Sequence, residues 1–492
     1  MVKVNDFERD LDKKEFYDVL TNERANIEYR YDGDIETLLT RDLHAFLSSH
    51  IQDQRPRLET LRSYYSAKTQ NLTQKGTRRL EKTKADHRIA HDYGRYITDF
   101  INGYFQGTPI KYDFDDSADN KKAQDFIDEI HEINDIESLN KSLGLDLSIY
   151  GRAYEIVFKN EENEIRTYKL DATNTFIIYD NSIENRSIAG VHYYETQALE
   201  DTEDTFYNVD VYTTKAIYKF KTSESTQYKL VERDTAEHNL TNNVQITEYR
   251  NNEFRLGDFE NVITLIDLID SAQSDTANYM TDLNDAMLLL IGNFELSAEA
   301  GKLQKEANIM HLIPATYEDD DGKRTEGKAD GRYIYKQYDV SGAEAYKTRI
   351  DNNIHMFTHT PNMNDEHFSG TTSGEAMKYK LNGLEQRTAV KEGLFRKGLR
   401  RRYKLIDELA SLNGTKFSTE LKRINFIFTR NLPKSLLEEM EIYLKAGGEV
   451  SQQTLSTLVS FIPNYEEEKA RLEAERDERA PSTDYTAITE NE

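Results

Sequence analysis

Two pairs of histidines have the residue type and the spacing that a metal site could use. His87 and His91 lie in HRIAH, and His355 and His359 lie in HMFTH. A spacing of four residues places two imidazoles on one helix face, as in zinc-binding helices. Both pairs lack the glutamate of HExxH, and spacing ties no third ligand to either. We therefore expect histidines at the surface or boundary of a helix, and predict no metal site.

The acidic run EDDDG at 318–322 resembles a calcium-binding loop only superficially. The alternating oxygen ligands and the closing glutamate of an EF-hand are misplaced, so a solvated hairpin tip is expected. A phosphate-binding P-loop is also missing, because Gly370 and Gly374 are followed by Glu375 where the motif requires lysine. With no catalytic constellation in the sequence, we predict that the protein is not an enzyme and uses no cofactor.

One basic segment stands out in an acidic chain. Between positions 378 and 404 it has ten cations against two carboxylates, a net charge of +8; the cations are Lys378, Lys380, Arg387, Lys391, Arg396, Lys397, Arg400, Arg401, Arg402 and Lys404. The segment could face acidic surface of the same chain or of a neighbouring subunit, or it could bind phosphate directly. We favour protein contacts over phosphate.

The composition indicates a folded, very polar protein. The 492 residues carry 63 Lys plus Arg against 89 Asp plus Glu, a net charge of -26. There is no Cys, which excludes disulfide scaffolds, thiolate metal sites and cysteine nucleophiles. With 31 Tyr and 21 Phe the chain is too aromatic to be disordered. No apolar run approaches the roughly 20 residues of a membrane span, and the N-terminus has no secretory signal, so we expect action in the cytoplasm or in a particle assembled there.

Periodicity separates helical parts of the chain from one β-rich block. Apolar residues at helical spacing predict helices at 35–70, 89–104, 121–150, 258–292 and 342–359. From 151 to about 250, short Tyr-, Ile- and Val-rich runs alternate with polar turns and predict strands. A hairpin is expected within 314–337, and the Thr372–Glu375 capping box predicts the start of a helix of some 36 residues. A strand at INFIFTR and shorter helices at 434–446, 451–461 and 464–480 follow, before a disordered tail.

Four segments together resemble the portal proteins of long-tailed bacteriophages that infect Gram-positive bacteria. They are YITDFINGYFQGTPIKY (96–112), SIYGRAYEIVF (148–158) followed by TFIIYDNS, the segment 248–293 from EYRNNEFRLGDFE to LLLIGN, and PNMNDEHFSGTTSGEAMKYKLNGLEQRTAVKEGLFRKGLRRR (361–402). The resemblance extends over roughly 90–465 in the family's order. Its third and fourth segments are the most specific.

The resemblance implies an α+β portal fold, assembled as a ring generally of twelve subunits. Its parts would be an α/β wing, long stem helices, a small α/β clip and a helical crown. The boundaries would be an N-terminal polar segment at 1–25, wing at 26–257 and 376–432, stem helices at 258–292 and 342–361, clip at 293–341, tunnel loop at 362–375, crown at 433–480 and a disordered tail at 481–492.

The resemblance also implies a function and partners. The ring would sit at one capsid vertex of the virion, as the channel for packaging and ejecting double-stranded DNA. Its partners would be further copies of itself, DNA that passes without tight binding, the terminase large subunit, a head-completion or adaptor protein, and the major capsid and scaffolding proteins, with no membrane. An acidic wall suits this role, because it lets the duplex slide.

Three groups of candidate site residues follow from this interpretation. The tunnel loop would present Asp365, Glu366, His367, Phe368, Ser369, Gly370 and Thr371 to the DNA path, although composition alone favours an ordinary inter-helix loop. The subunit interface would use Arg396, Lys397, Arg400, Arg401 and Arg402. The clip would bind partners through Asp319, Asp320, Asp321, Lys323 and Arg324.

Two alternative functions remain at this point. Another virion structural or connector protein would form no ring with an axial channel. A nucleic-acid enzyme is the least favoured, since the chain lacks a P-loop.

Overall fold

The structure is a computed structural model, and the chain divides into two units, Met1–Arg430 and Asn431–Glu492. It describes residues 17–363 and 381–431, with gaps at 80–83, 114–117, 197–205, 223–227, 240, 283–286, 292–308, 313–316, 319–321, 323, 326–329, 335–338, 413, 416–420 and 422–423. In the second unit it further describes residues 445, 468–469 and 471–475, all of them helical, which agrees with the charged helix predicted at 464–480.

The helices of the first unit begin with a long composite helix, here called α1. Its consecutive segments are Ile35–Thr37, Leu38–Asp42, Leu43–Ser49, His50–Gln54 and Arg55–Tyr65, the second and fourth of which have π-helical hydrogen bonding. The Asp34 carboxylate caps its first turn by accepting from the Thr37 amide at 2.8 Å. The later helices are α2 (Tyr93–Gln106), α3 (Ala118–Asn134), α4 (Ile136–Tyr150), α5 (Ile263–Asp282), α6 (Val340–Thr358) and α7 (Asn382–Leu412).

The strands form several separate sheets. In chain order they are β1 (Tyr29–Arg30), β2 (Lys111–Asp113), β3 (Arg152–Lys159), β4 (Ile165–Leu170), β5 (Thr175–Tyr179), β6 (Ser187–Thr196), β7 (Phe206–Thr213), β8 (Ala216–Thr222), β9 (Leu230–His238), β10 (Ile246–Arg250), β11 (Met287–Ile291), β12 (Ile309–Leu312), β13 (Tyr317–Glu318), β14 (Arg324–Thr325), β15 (Asp330–Ile334) and β16 (Asn425–Ile427). A six-stranded sheet has the order β1-β5-β6-β7-β8-β9, and two three-stranded sheets have the orders β10-β3-β4 and β12-β11-β15. β13 pairs with β14, and β16 with β2.

Two cores hold the first unit together. In one, Leu38, Leu43 and Leu47 of α1 pack on the inward face of the six-stranded sheet. In the other, Phe395 and Leu399 lie on the apolar stripe of α7 and pack against α3, α4 and the β10-β3-β4 sheet. The β-rich block predicted from 151 onward is therefore confirmed, and helices cover its apolar faces.

Two glycines make close approaches that a side chain would block. Gly151 ends α4 at φ +77°, and a Cβ there would stand 2.1 Å from the Arg255 carbonyl oxygen. Gly398 lies inside α7, where a Cβ would stand 2.3 Å from the Tyr249 ring of β10. The glycine inside the long helix thus lets α7 pack closely against the sheet.

The single helix predicted for 121–150 is wrong, because two helices occupy this region. Asp135, between α3 and α4, adopts a left-handed backbone conformation at φ 45°. A residue in that conformation interrupts α-helical hydrogen bonding. Apolar periodicity continues on both sides of the break, which explains why the sequence pattern did not reveal it.

The helix predicted for 258–292 is also too long. α5 ends at Asp282, and Met287–Ile291 forms β11, the central strand of the β12-β11-β15 sheet. Strand β11 runs parallel to β12 and antiparallel to β15. A short, continuously apolar run such as MLLLI has no periodicity that separates a buried strand from a helix, and here its pairing on both sides determines the outcome.

Three further element predictions agree with the structure, whereas the helix start at Thr372–Glu375, the helix at 451–461, nearly all of the helix at 434–446 and the tail lie outside the described residues. Glu318 pairs with Arg324 across the predicted hairpin. Helix α6 ends at Thr358, where His359 is left-handed at φ 57° and Pro361 follows. The INFIFTR strand is present as β16.

Candidate functional site

Helices α5 and α6 form an antiparallel pair. The Asn261 amide just before α5 donates to the Phe357 carbonyl near the end of α6, at 3.2 Å. Midway along the pair, the Lys347 ammonium donates to Gln273 Oε1 at 3.0 Å. The pair leads at its other end into the β12-β11-β15 sheet. The resemblance implies a similar arrangement, in which a small α/β clip connects two stem helices.

Arg387 of α7 joins both helices of this pair at one end. Its Nη1 donates to the carbonyl of Thr358, the last residue of α6, at 3.0 Å. Its Nη2 donates to the carbonyl of Asp258, just ahead of α5, at 2.8 Å. One guanidinium therefore fixes the start of α5 and the end of α6 against α7.

A buried lysine reinforces the same junction. Lys391 Nζ lies 2.9 Å from Asp258 Oδ2 and 2.6 Å from Ser148 Oγ, and both side chains of the ion pair are almost completely buried. Burial alone would raise the pKa of Asp258, but Lys391 and Arg387 lower it to about 2. The carboxylate therefore remains ionised while it anchors α7 to the entrance of α5.

The arginines of the basic segment have different environments, which corrects the interface prediction for Arg402. Its side chain has no exposed surface, and its Nε lies 2.6 Å from Glu155 Oε1 in β3. Burial tends to lower the pKa of Arg402, and the Glu155 carboxylate reverses the effect so that the pKa is raised. A guanidinium enclosed in the core of its own subunit cannot contact another subunit. The acidic group that it contacts, Glu155, belongs to the same chain.

The other four predicted interface residues lie nearer the surface. Arg396 is half-buried, with Nη1 donating to the Phe426 carbonyl and Nη2 pairing with Glu392 at 2.6 Å. Arg401 is also half-buried and donates to Ser187 and to the Val244 carbonyl. Lys397 and Arg400 are exposed. These four residues remain candidates for contacts between subunits.

A second basic stretch contacts α5 through its described residues, 75–79 and 84–92. Arg78 pairs with Asp275 at 3.1 Å, and Arg79 pairs with Asp282. The His87 amide and the His91 amide donate to Asn278 and Asp270 of α5. Acidic residues of α5 are therefore neutralised within the chain along this side.

The helical spacing assumed for His87 and His91 is wrong, because residues 85–92 are not helical. The His91 ring lies 2.7 Å from Asp270 Oδ1, and the His87 ring lies 2.8 Å from Thr281 Oγ1. His355 does lie on a helix, with Nε2 at 3.6 Å from Asp351. Among the residues that the structure describes, no three His, Asp or Glu side chains converge on a metal position.

Most residues of the predicted tunnel loop and clip tip lie outside the described part of the chain. This applies to Asp365–Thr371, to Asp319, Asp320 and Asp321, and to Lys323. Arg324 is described as the first residue of β14. The chain enters the predicted tunnel-loop region from the end of α6 and leaves it near the start of α7.

Sequence reasoning missed two buried carboxylates that organise α7. Glu155 lies in the middle of the apolar run AYEIVF, and Asp258 directly follows Gly257 before an apolar helix. A lone acid in an otherwise apolar strand is a usable signal, since a buried charge must be paired. Asp258 gave no comparable signal, because its partner is 133 residues away.

Comparison with known proteins identifies the family. The family model described as "Phage portal protein, SPP1 Gp6-like" matches residues 44–482. The chain belongs to this phage portal protein family. It is therefore a structural, non-enzymatic component of a virion, and the predicted family is confirmed.

Two relatives illustrate the breadth of the match. A portal protein of Clostridium phage phiCD119 is 25% identical over 426 residues, covering 82% of this chain and 89% of the relative. The portal protein of Bacillus phage SPP1 is 22% identical over 433 residues, covering 85% and 80%. Among solved structures, a chain in the neck of an empty GTA particle computed with C6 symmetry aligns with a TM-score of 0.41 at 12% identity, covering 75% of this chain and 90% of that one. No helix in the described residues is long and apolar enough to cross a membrane.

Proposed function

We propose that this protein forms a dodecameric ring at one capsid vertex and is the channel through which double-stranded DNA enters and leaves the head. The observation that carries the proposal is the portal family match over residues 44–482. Wing, stem, clip, tunnel loop and crown follow the boundaries given above, with the stem helix now α5 and the clip beginning at β11.

The helix pair α5–α6 supports the assignment of stem and clip. The pair is fixed to the wing at one end by Arg387 and Lys391, and it continues into a small three-stranded sheet at the other. In the proposed ring, twelve copies of the pair surround the channel, and twelve copies of the small sheet form the docking surface. The terminase large subunit binds there during packaging, and the head-completion protein replaces it afterwards.

The charge of the chain suits a passage for DNA. At -26 per subunit, the ring presents an acidic environment to the phosphate backbone. Tight protein–DNA binding depends on neutralising phosphates with lysine and arginine, so an acidic channel avoids it. The duplex can then slide in both directions.

Assembly can be tested on the purified full-length chain. We expect negative-stain images of rings with an axial hole and, by mass photometry, a mass of twelve 57.2 kDa subunits, about 690 kDa. A chain that remains monomeric under all salt conditions, or closed particles without a hole, would contradict the proposal.

A further inference from the structure

A small cleft lies between α7 and the two sheets of the wing. Tyr179 and Ser187 from the six-stranded sheet, Glu248 and Glu253 from β10 and the turn after it, and Lys397 and Arg401 from α7 form parts of its wall. Its volume is about 270 Å³. This is slightly below the roughly 300 Å³ of the smallest ordinary ligand pockets, so the cleft admits a side chain or a small oxyanion.

Arg401 is a half-buried cation in this wall that forms no ion pair with any carboxylate in the described part of the chain, and the Glu408 carboxylate offsets its burial only in part. Its Nη2 donates to the neutral oxygens of Ser187 (2.7 Å) and Val244 (3.0 Å), while its buried Nε has no hydrogen-bond partner. Burial lowers the pKa of Arg401, whereas the pKa of neighbouring Arg402 is raised beside Glu155. A partly buried charge without a counter-ion is less stable than one paired with an anion.

None of the described neighbouring acids forms an ion pair with Arg401. Glu408 acts on it electrostatically, but this carboxylate accepts from Asn243 at 2.6 Å and lies 3.9 Å from Lys404. Glu248 lies 2.8 Å from Arg255 Nε and 3.0 Å from Arg250 Nε, so two other guanidiniums already neutralise it. Burial alone would raise the pKa of Glu248, and these arginines hold it below its ordinary value. Glu253 is exposed and, within the described residues, forms no ion pair with either cation of the cleft. The cleft therefore has an excess of positive charge at Arg401.

Lys397 adds a second free cation one helical turn away. It is exposed, and it makes no hydrogen bond or ion pair with any described residue. Residues four apart on a helix share a face, so Lys397 and Arg401 can act on the same anion. Arg400 is exposed but does not line the cleft, which makes it a natural comparison.

We propose that this cleft binds a carboxylate from a neighbouring copy of the chain, held by Lys397 and Arg401. The proposal rests on the proposed ring. The chain has 26 more acidic than basic side chains, so a second copy offers an excess of carboxylates over cations. In a closed ring every cleft meets the same surface of its neighbour, so one fitting carboxylate fills all of them. The interface contact thus uses a different part of the α7 surface from buried Arg402.

Zero-length cross-linking tests the contact directly. Unlabelled and ¹⁵N-labelled full-length subunits would be co-assembled into rings and treated with a carbodiimide, which joins a lysine amine to a carboxylate in contact with it. We expect cross-linked peptides that contain Lys397 and an acidic residue of the other isotope. Mass photometry of the same wild-type sample tests the ring separately. Intact rings in which Lys397 joins only Glu253 of its own chain, or no carboxylate, would overturn the inference without affecting the ring.

Single substitutions give a second, independent readout. Lys397→Gln and Arg401→Gln should each raise the subunit concentration for half-assembly at least tenfold, and more so at low salt. Arg400→Gln removes the same charge next to the cleft and should raise this concentration much less, because Arg400 does not line the cleft. Arg401→Gln also removes bonds inside the subunit, but Lys397 makes none there, so Lys397→Gln keeps the test decisive if the other variant folds poorly. Equal assembly of Lys397→Gln and Arg400→Gln would contradict the proposal.

Discussion

Arg402 and Glu155 form an ion pair in which both side chains are completely buried, with 2.6 Å between Nε and Oε1. Tyr249 and Thr167 donate their hydroxyls to the same carboxylate, and Asn140 Oδ1 accepts from Arg402 Nη1 at 2.8 Å. These contacts connect α7 to β3, β4, β10 and α4. They fix one rotation of α7, because turning the helix would leave both charges unpaired in the core.

Removing one member of this pair should destabilise the subunit strongly. We expect Arg402→Met to lower the free energy of unfolding by about 3–5 kcal/mol, because Glu155 is left buried without a counter-charge. Arg402→Met/Glu155→Gln should recover part of the loss. Urea unfolding followed by circular dichroism provides the measurement, with exposed Arg400→Met as the control. An Arg402→Met midpoint equal to that of the control would show that the pair contributes little.

The Asp258–Lys391 pair predicts a loss of stability in acid. The folded-state pKa of Asp258 is about 2, below its unfolded value near 4, so its contribution is present above pH 4 and is lost as pH falls toward 2. A pKa difference of about two units corresponds to roughly 2–3 kcal/mol of folding stability. Asp258→Asn should therefore lose stability at pH 7 and show a shallower decline between pH 4 and 2. A decline as steep as that of the wild type would exclude the Asp258 carboxyl as a source of the loss of stability in acid.

Asp267 of α5 should show the opposite dependence. Burial raises its pKa to about 6, although the Tyr64 and Tyr17 hydroxyls, each 2.7 Å away, oppose the shift. Because the folded state holds this proton more tightly, stability should fall as pH rises from 4 to 6 and remain lower above 6. We expect Asp267→Asn to make this decline shallower, as measured by unfolding midpoints from pH 4 to 7.5, while Asp146, whose pKa burial also raises to about 6, still contributes. Asp275→Asn, at an exposed position of the same helix, should retain it.

The clip assignment predicts a packaging defect without an assembly defect. β13 and β14 are in register at Glu318 and Arg324, so replacing Asp319–Lys323 by Asn-Gly leaves both strands joined by a two-residue turn. Rings should form, and DNA packaging in a complementation assay should be lost because the predicted partner-binding residues at the clip tip are missing. Glu161→Gln/Glu162→Gln, in the exposed β3–β4 turn, is the control. Normal packaging by the shortened clip would remove the assignment of this tip.

The tunnel-loop assignment predicts that cations in the loop stall the passage of DNA. Asp365→Lys/Glu366→Lys exchanges two acids per subunit for two cations, and each new phosphate contact adds a salt-sensitive hold on the duplex. Rings should assemble but package little DNA, with partial recovery as salt rises. Glu161→Lys/Glu162→Lys makes the same charge change at the β3–β4 turn and should package normally. Full-length packaging at the wild-type rate by the loop variant would place this loop away from the DNA path.

The sequence predicted the elements whose signal is local. Alternating strands from Arg152 to His238 and the helix α6 follow directly from periodicity, and Pro361 correctly indicated the end of that helix. The errors arose where the deciding contact is distant in the chain or no periodicity exists. Strand β11 is determined by its pairing with β12 and β15, and the break at Asp135 is a single backbone conformation inside a continuous apolar pattern.

The candidate site was predictable as a charged segment but not residue by residue. The net charge of the α7 region is evident from the sequence, whereas the separation of buried Arg402 from exposed Lys397 and Arg400 depends on which side of α7 meets β3 and β10. Helical periodicity alone could have warned of this, since Arg402 lies seven residues after Phe395 and next to Tyr403, both on the buried stripe.

The two hydrogen bonds of Arg387 have a consequence for how this architecture can vary. They bring the carbonyls of Asp258 and Thr358 to one guanidinium, although 100 residues separate them in the chain. The intervening residues are thus closed into a loop at their base. A change in their length or at their tip therefore need not alter the fold of the residues that hold them.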